Sequence, residues 1–121
     1  MKFRELVKQV QLESGFSDAE SQEALETMVE RLAAQLEEGE RKDFASQLPP
    51  ELQDIALEAL PTAATAHQTI VEQFMEQEDI DEPRAKKQIM AAWCALQEAI
   101  SGGQIRHIRA QLPGETAKIL H

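Results

Sequence analysis

The residue types that carry most catalytic and metal chemistry are sparse in this chain. Its three histidines, His67, His107 and His121, lack the i, i+4 spacing with which two side chains of one helix bind zinc. Cys94 is the only cysteine, and within one helical turn of it the only charged residue is Glu98, whereas an activated thiol needs cationic neighbours. We therefore expect no zinc site, no catalytic residue and no internal disulfide.

An acidic run at residues 76–82 has the composition of a calcium loop but not its pattern. Counted from Asp79, Pro83 falls at the fifth position, and the glycine and the twelfth-position glutamate of an EF-hand are missing. Asp81 is instead well placed to cap a helix that begins just after it. We therefore expect a solvated loop, with no metal and no cofactor.

One group of cations stands out against the acidic background as a candidate partner surface. Arg84, Lys86 and Lys87 open the predicted sixth helix, and Arg106 and Arg109 lie one turn apart on the seventh. A cation is unfavourable at a helix N-terminus, so Arg84 does not serve as a cap. One interpretation is solvated surface charge. The other is a docking surface for an acidic partner, or for the acidic half of a second copy of the chain.

Trp93 and Cys94 are the second candidate site, as an interface or as part of a pocket. Helical spacing puts Trp93 at a core position, although tryptophan is also enriched as an interface anchor. Met90, Cys94 and Ala95 widen the apolar arc of the same helix, which is then either the more central helix or in contact with a second chain. A pocket in which Trp93, Cys94 and His107 converge is the alternative.

The elements that must position these residues occur twice. The run 47–49, Gln-Leu-Pro, returns as 111–113, an offset of 64 residues. The same offset aligns apolar residues with apolar residues: Leu6 with Ile70, Val10 with Phe74, Leu25 with Ile89, Val29 with Trp93, Leu32 with Leu96, and Phe44 with Ile108. This spacing predicts a single all-α domain of two tandem, pseudo-symmetric repeats of about four helices each, over about 1–60 and about 65–121. Each half alone would be marginally stable, so we expect a shared core.

Apolar residues with a period near 3.6 predict helices along the whole chain, and no segment has the sequence pattern of a β-strand. The first predicted helix covers about 2–13, and the second begins at the Ser17–Glu20 capping box. The third covers about 40–47, the fourth runs from Pro50 to Leu60, and the fifth covers about 65–77. The sixth begins after the Asp81 cap, the seventh lies around 105–112, and a final turn begins at about 114. Residues 61–64 are the predicted linker.

Glycines and glutamines supply the remaining predictions about helix ends. Gly39 is expected to be the C′ residue of the second helix, and Ser101-Gly102-Gly103 to terminate the sixth. Gln47 and Gln111, each followed by Leu-Pro, are expected to bond free carbonyls at the end of the preceding helix. These assignments give the repeated motif a structural role, with partner recognition as the alternative.

Composition excludes several classes of protein. The chain has 22 acidic and 12 basic residues, for a net charge of −10. Most of it, −8, falls on residues 1–64, which leaves −2 for residues 65–121. Because an acidic chain repels phosphate backbones, we expect no nucleic-acid binding. No apolar run is long enough for a signal peptide or a membrane span, so we expect a cytoplasmic protein.

The glycine and Gln-Leu-Pro motifs resemble those of a known family. Residues 100–103, Ile-Ser-Gly-Gly, are followed by 110–113, Ala-Gln-Leu-Pro, and both are echoed at 39–40 and 46–49. In order and in double occurrence they resemble the bacterial domain of unknown function 2267 family. The resemblance covers about 3–120 of the chain.

The resemblance implies an all-α, repeated, cytoplasmic bacterial protein, and it carries no activity and no catalytic residue. Gln104 stands where an acidic residue would follow the paired glycines of the family, and His121 ends the chain where an aromatic residue is expected. Together with the lack of catalytic groups, this favours a non-enzymatic protein-protein interaction or regulatory module. The alternative is a small-molecule-binding protein or enzyme with a pocket between the two repeats.

Overall fold

The computed structural model describes residues 2–59, 70–112, 118 and 120. Over those residues the chain forms seven α-helices and no strand, which confirms the predicted all-α class. The helices are α1 (Phe3–Ser14), α2 (Asp18–Ala34), α3 (Glu38–Ser46), α4 (Pro50–Glu58), α5 (Ile70–Glu78), α6 (Glu82–Ala99) and α7 (Gly102–Gln111). The predicted linker, the start of the fifth helix, Leu60 and most of the final turn lie outside the described residues.

The turn between α1 and α2 combines a glycine at the end of α1 with the predicted capping box at the start of α2. Gly15 adopts a left-handed conformation with φ of 77°, and its N–H donates to the Gln11 carbonyl at 2.7 Å. The Ser17 hydroxyl accepts from the Glu20 N–H at 3.2 Å, while the Glu20 carboxylate accepts from the Ser17 N–H at 3.0 Å. The capping box thus starts α2 where the sequence predicts it.

Aspartate and proline start two further helices as expected. Asp81 caps α6 by accepting from the Arg84 N–H at 3.1 Å, and Pro83 lies in the first turn. Pro50 begins α4, where its missing N–H costs nothing and its fixed φ suits a helix.

The prediction that Gly39 ends α2 is wrong. The helix ends earlier, at Ala34, and Gly39 lies in the first turn of α3. Arg41 explains the difference, because its Nε donates to the Ala33 carbonyl and its Nη2 to the Leu36 carbonyl, both at 3.2 Å. A side chain from the next helix thus satisfies carbonyls at this end that a glycine turn would otherwise satisfy.

The prediction that 101–103 terminates the sixth helix is also wrong. The helix ends at Ala99, and the Ile100 N–H closes its last turn on the Leu96 carbonyl at 3.1 Å. Ser101 is the N-cap of α7, since its hydroxyl accepts from the Gln104 N–H at 3.2 Å. The serine cap outweighs the glycines, which lie in the first turn of the helix it starts.

One hydrophobic core holds the described helices together. In it, α6 packs against α1, α2 and α5, while α2 also packs against α4, and α3 packs against α4 and α7. The largest fully buried side chains are Trp93, Phe44, Phe74, Leu6, Leu25, Met28, Leu32, Leu52, Ile70, Ile89, Leu96 and Ile108. Helices from both halves contribute to this core, and α6 lies against three of them, which accounts for its wide apolar arc.

Candidate partner surface

Several cationic side chains of the described residues are held by groups of the chain itself. These contacts neutralise charge or satisfy backbone carbonyls, and they leave little for a partner to bind. They join Arg4 to Asp18, Arg31 to Gln77, Arg41 to the α2 carbonyls, Lys42 to Glu38, and Lys86 to Glu82.

Arg84, the first cation of the predicted surface, contacts both Glu20 and the Phe16 ring. Its Nη2 donates to Glu20 Oε2 at 2.5 Å, and its guanidinium lies over the Phe16 ring at 4.1 Å from the centroid. The Lys87 ammonium lies 5.4 Å from the same ring. The amide hydrogen bond from Ser17 and then the contact with Arg84 lower the pKa of Glu20 to about 2. This end of α6 is therefore bound to the start of α2.

Arg106 and Arg109 on α7 are different. Arg106 is exposed and Arg109 half-buried, and neither makes a hydrogen bond or ion pair within the described part of the chain. Between them, the exposed His107 has its Nδ1 3.7 Å from Glu40 Oε1. The other oxygen of Glu40 accepts from Gln104 Nε2 at 3.2 Å. Two unneutralised guanidiniums thus lie one turn apart on this helix.

The five predicted cations lie in two groups, on two helices. Arg84, Lys86 and Lys87 lie in the first turns of α6, a helix of 18 residues that is about 27 Å long at 1.5 Å per residue. Arg106 and Arg109 lie on α7, which begins beyond the far end of α6 and packs against α3. The length of α6 therefore separates the engaged cations from the unpaired ones.

Trp93 and Cys94, the second candidate pair, lie side by side on α6. Trp93 is fully buried, and its Nε1 has no hydrogen-bond partner among the described residues. Cys94 is half-buried, and burial, followed by the charges of Glu13 and Glu98, raises the pKa of its thiol. A thiol with a raised pKa stays protonated and is a poor nucleophile. His107, predicted to join them, lies on α7 beside Glu40.

Among the residues that the structure describes, those of the first half line two cavities. One of about 480 Å³ is lined by Leu36, Glu37, Glu38, Arg41, Lys42 and Leu57. The other, of about 630 Å³, is lined by Lys2, Phe3, Arg4, Glu5, Pro49, Pro50 and Glu51. Neither is lined by Trp93, Cys94 or His107, and neither spans the two halves.

The two repeated glutamines join the halves to each other. Gln47 Oε1 accepts from the Ser101 N–H at 2.7 Å, and Gln111 Oε1 accepts from the Glu37 N–H at 3.1 Å. The prediction that they bond free carbonyls of the preceding helix is therefore wrong. Because α3 and α7 pack together, the glutamine at the end of each helix reaches the backbone at the start of the other.

Two more polar contacts cross between the halves, and each joins residues 64 positions apart. These are the ion pair of Arg84 with Glu20 and the hydrogen bond of Gln104 with Glu40. The separation equals the offset at which the sequence matches itself. The sequence match was therefore a signal for these contacts, although each residue on its own gives none.

The part of the chain that the structure describes contains no group of three or more histidine, cysteine, aspartate or glutamate side chains that would hold a metal ion. Within the same residues, no helix is both long enough and apolar enough to cross a membrane.

Comparison with known proteins identifies the family of the chain. A family model described as "Uncharacterized conserved protein (DUF2267)" matches residues 3–119, nearly the whole chain. No curated protein and no solved structure matches the chain.

Proposed function

Since the chain belongs to the DUF2267 family, whose description gives no activity, we propose from its own residues that it is a non-enzymatic protein-interaction module that binds an acidic segment of a partner on α7. The observation that supports this is the pair of guanidiniums at Arg106 and Arg109. The chain has 22 acidic residues, yet among the described ones none neutralises this pair.

The lack of a carboxylate four residues earlier on the helix explains why Arg106 is unpaired. In the first half, Lys42 stands 64 positions before Arg106 and pairs with Glu38, four residues earlier on the same helix. In the second half Gly102 takes the place of that glutamate, so α7 offers no carboxylate at this spacing. Arg109 takes the place of Ala45. Compared with the first half, the second half thus has one more cation on this helix, and it lacks the anion that would pair with Arg106.

Arginine is well suited to binding carboxylates. Its planar guanidinium presents parallel N–H groups that match both oxygens of a carboxylate. On a helix, residues three apart lie about 5–6 Å from each other, so Arg106 and Arg109 present two such groups to acidic residues of one segment. A nucleic acid is disfavoured as the partner because its continuous row of phosphates would extend from α7 over the rest of a surface with net charge −10, whereas a short acidic segment can contact α7 alone.

The architecture that we propose for this module is two copies of one helical unit related by an approximate two-fold axis. Helices α2 and α6 begin at Asp18 and Glu82, and α3 and α7 begin at Glu38 and Gly102, so both pairs keep the 64-residue offset. On such an axis equivalent residues meet each other, which is the relation between the partners of the two 64-residue contacts described above. The module is then one domain with a shared core.

A binding titration tests the proposed surface. Fluorescence anisotropy of a labelled peptide rich in aspartate and glutamate is measured against the wild type and Arg106→Glu/Arg109→Glu. Reversing two exposed charges should weaken binding about tenfold, since each such pair contributes up to about 1 kcal/mol. The matched control is Lys2→Glu/Lys8→Glu, which makes the same change in net charge at two exposed lysines.

The comparison of the two variants decides the outcome. Loss of binding in the α7 variant alone supports the proposed surface, whereas equal loss in both variants would mean that added negative charge weakens binding wherever it is placed, and would contradict it. Sedimentation velocity of the protein at low and high salt tests whether the acidic partner is a second copy of the chain. In that case a salt-sensitive dimer forms in the wild type and is absent from the α7 variant.

A further inference from the structure

Helix α4 has an acidic outer face that the described part of the chain does not neutralise. Glu51, Asp54 and Glu58 are exposed and lie at i, i+3 and i+7, so they follow one side of the helix. None of the three makes a hydrogen bond or ion pair through its side chain within the described residues. Because α4 contains no basic residue, its outer face carries three carboxylates and no cation.

Helix α5 has a comparable composition, but its acidic side chains are not available in the same way. It also carries three glutamates and no basic residue. Glu72 and Glu76 have partners within the chain, and Glu78 is half-buried. The carboxylates of α4, in contrast, are exposed and lack such partners among the described residues. Of these two helices, α4 therefore offers the acidic face that a cationic surface can bind.

An exposed apolar side chain lies beside the carboxylates of α4. Leu57 is 48% exposed, and apart from Leu12 no other large apolar side chain of the described residues is exposed. Leu57 follows Asp54 by three residues, so the two side chains are neighbours on the helix surface. Leu57 also lines the cavity of about 480 Å³ between α3 and α4. Removing this side chain from water would add a favourable apolar term to a charged contact.

The outer face of α7 is complementary to the acidic face of α4. Arg106 and Arg109 lie at i, i+3, and α7 contains no acidic residue. Two guanidiniums one turn apart match carboxylates that are also one turn apart, and each guanidinium can bind both oxygens of its partner. Ala110 is exposed four residues after Arg106, and its small side chain leaves room for Leu57. Charge, spacing and side-chain size thus agree between the two faces.

We propose that the acidic partner of α7 is a second copy of the chain, which binds through the outer face of α4. The identity of this partner rests on the proposed function, because it concerns the same α7 surface. Helices α4 and α7 both pack against α3, so the two faces belong to one region of the molecule. Two copies related by a two-fold axis then make the contact twice, which gives a closed dimer.

Complementary charge reversal tests this contact, with sedimentation velocity at low salt as the measurement. Arg106→Glu/Arg109→Glu places acid against acid, and Asp54→Lys/Glu58→Lys places base against base. In each variant alone, the dimer dissociation constant should rise at least about tenfold above that of the wild type. An equimolar mixture of the two variants should regain the dimer, because each chain then meets faces of opposite charge. Both variants stay net negative, since the wild type carries −10 and each variant changes four charges, so overall attraction does not explain the recovery.

The matched control is Glu13→Lys/Glu98→Lys, which makes the same change in net charge as the α4 variant at two exposed acids of α1 and α6. It should dimerise at least as strongly as the wild type. A mixture of the α4 and α7 variants that stays monomeric would overturn the proposed contact. A wild type that stays monomeric while an acidic peptide binds α7 would also overturn it, yet it would leave the proposed function standing. Failure of the peptide to bind α7 counts instead against the proposed function.

Discussion

Replacing Gln47 with alanine should lower the free energy of unfolding, because the Ser101 N–H loses its acceptor at 2.7 Å. Gln111→Ala removes the matching 3.1 Å bond to the Glu37 N–H. A typical net hydrogen bond contributes about 0.5–1.5 kcal/mol. Both bonds lie at exposed sites where water replaces part of the lost bond, so each variant should lose about 0.5–1 kcal/mol. Equal costs are expected because the two bonds have the same role.

Glutamate substitutions distinguish the effect of losing the hydrogen bond from the effect of losing the rest of the glutamine side chain. Gln47→Glu keeps an acceptor oxygen and places a negative charge at the start of α7, where the helix dipole favours it, so stability should be retained. Gln111→Glu also keeps the acceptor, but it faces Glu37 and Glu38 at the start of α3 and should be less stable than the wild type. The difference between the two glutamate variants is attributed to Glu37 and Glu38, which lie beside residue 111.

Urea unfolding followed by fluorescence measures these changes, since Trp93 is the only tryptophan and is fully buried. Gln11→Ala, at a half-buried position with no side-chain hydrogen bond among the described residues, is the control for loss of an amide. The reasoning fails if alanine at either 47 or 111 costs no more than the control. It also fails if unfolding splits into two transitions, because a shared core must unfold as one unit.

Three further measurements test the helix ends and the thiol. Gly15→Ala should lose about 1–2 kcal/mol in thermal or urea unfolding, because φ of 77° strains alanine although no atom lies within 4 Å of the added carbon. The pKa of Glu20 is lowered to about 2, so the ionised carboxylate should contribute its full stabilisation above about pH 4.5. The difference in free energy of unfolding between the wild type and Glu20→Gln should therefore become smaller as the pH falls below that value. Cys94 should react with a thiol reagent at pH 7.5 more slowly than free cysteine does, because its pKa is raised.

Local signals in the sequence were enough to predict the helical class and several helix starts. The Ser17–Glu20 box, the Asp81 cap and Pro50 act within one turn, so they can be read without knowing the rest of the fold. The predicted helix ends at Gly39 and at Ser101 were wrong because two groups compete at each of these positions. Arg41 reaches back from α3 to cap α2, and the serine starts a helix that the glycines were expected to interrupt.

The sequence predicts which residues could form the candidate surface, but it does not show which of their side chains are free to bind a partner. The sequence identified Arg84 and Arg106 as members of one group, yet it could not show that Glu20 already neutralises the first of them. Likewise, the acceptors Gln47 and Gln111 find donors 54 and 74 residues away, a pairing that depends on how α3 and α7 pack. Long-range contacts of this kind decide which charges remain for a partner.

The most direct test of the proposed partner surface is to map where an acidic peptide binds. Amide and arginine side-chain signals of isotope-labelled protein are followed by NMR as a peptide rich in aspartate and glutamate is added. We expect the largest shifts over residues 102–112, including the guanidinium signals of Arg106 and Arg109, while Arg84, bound to Glu20, stays unchanged. Shifts centred on another helix, or no shift on α7 at saturating peptide, would contradict the assignment of this surface.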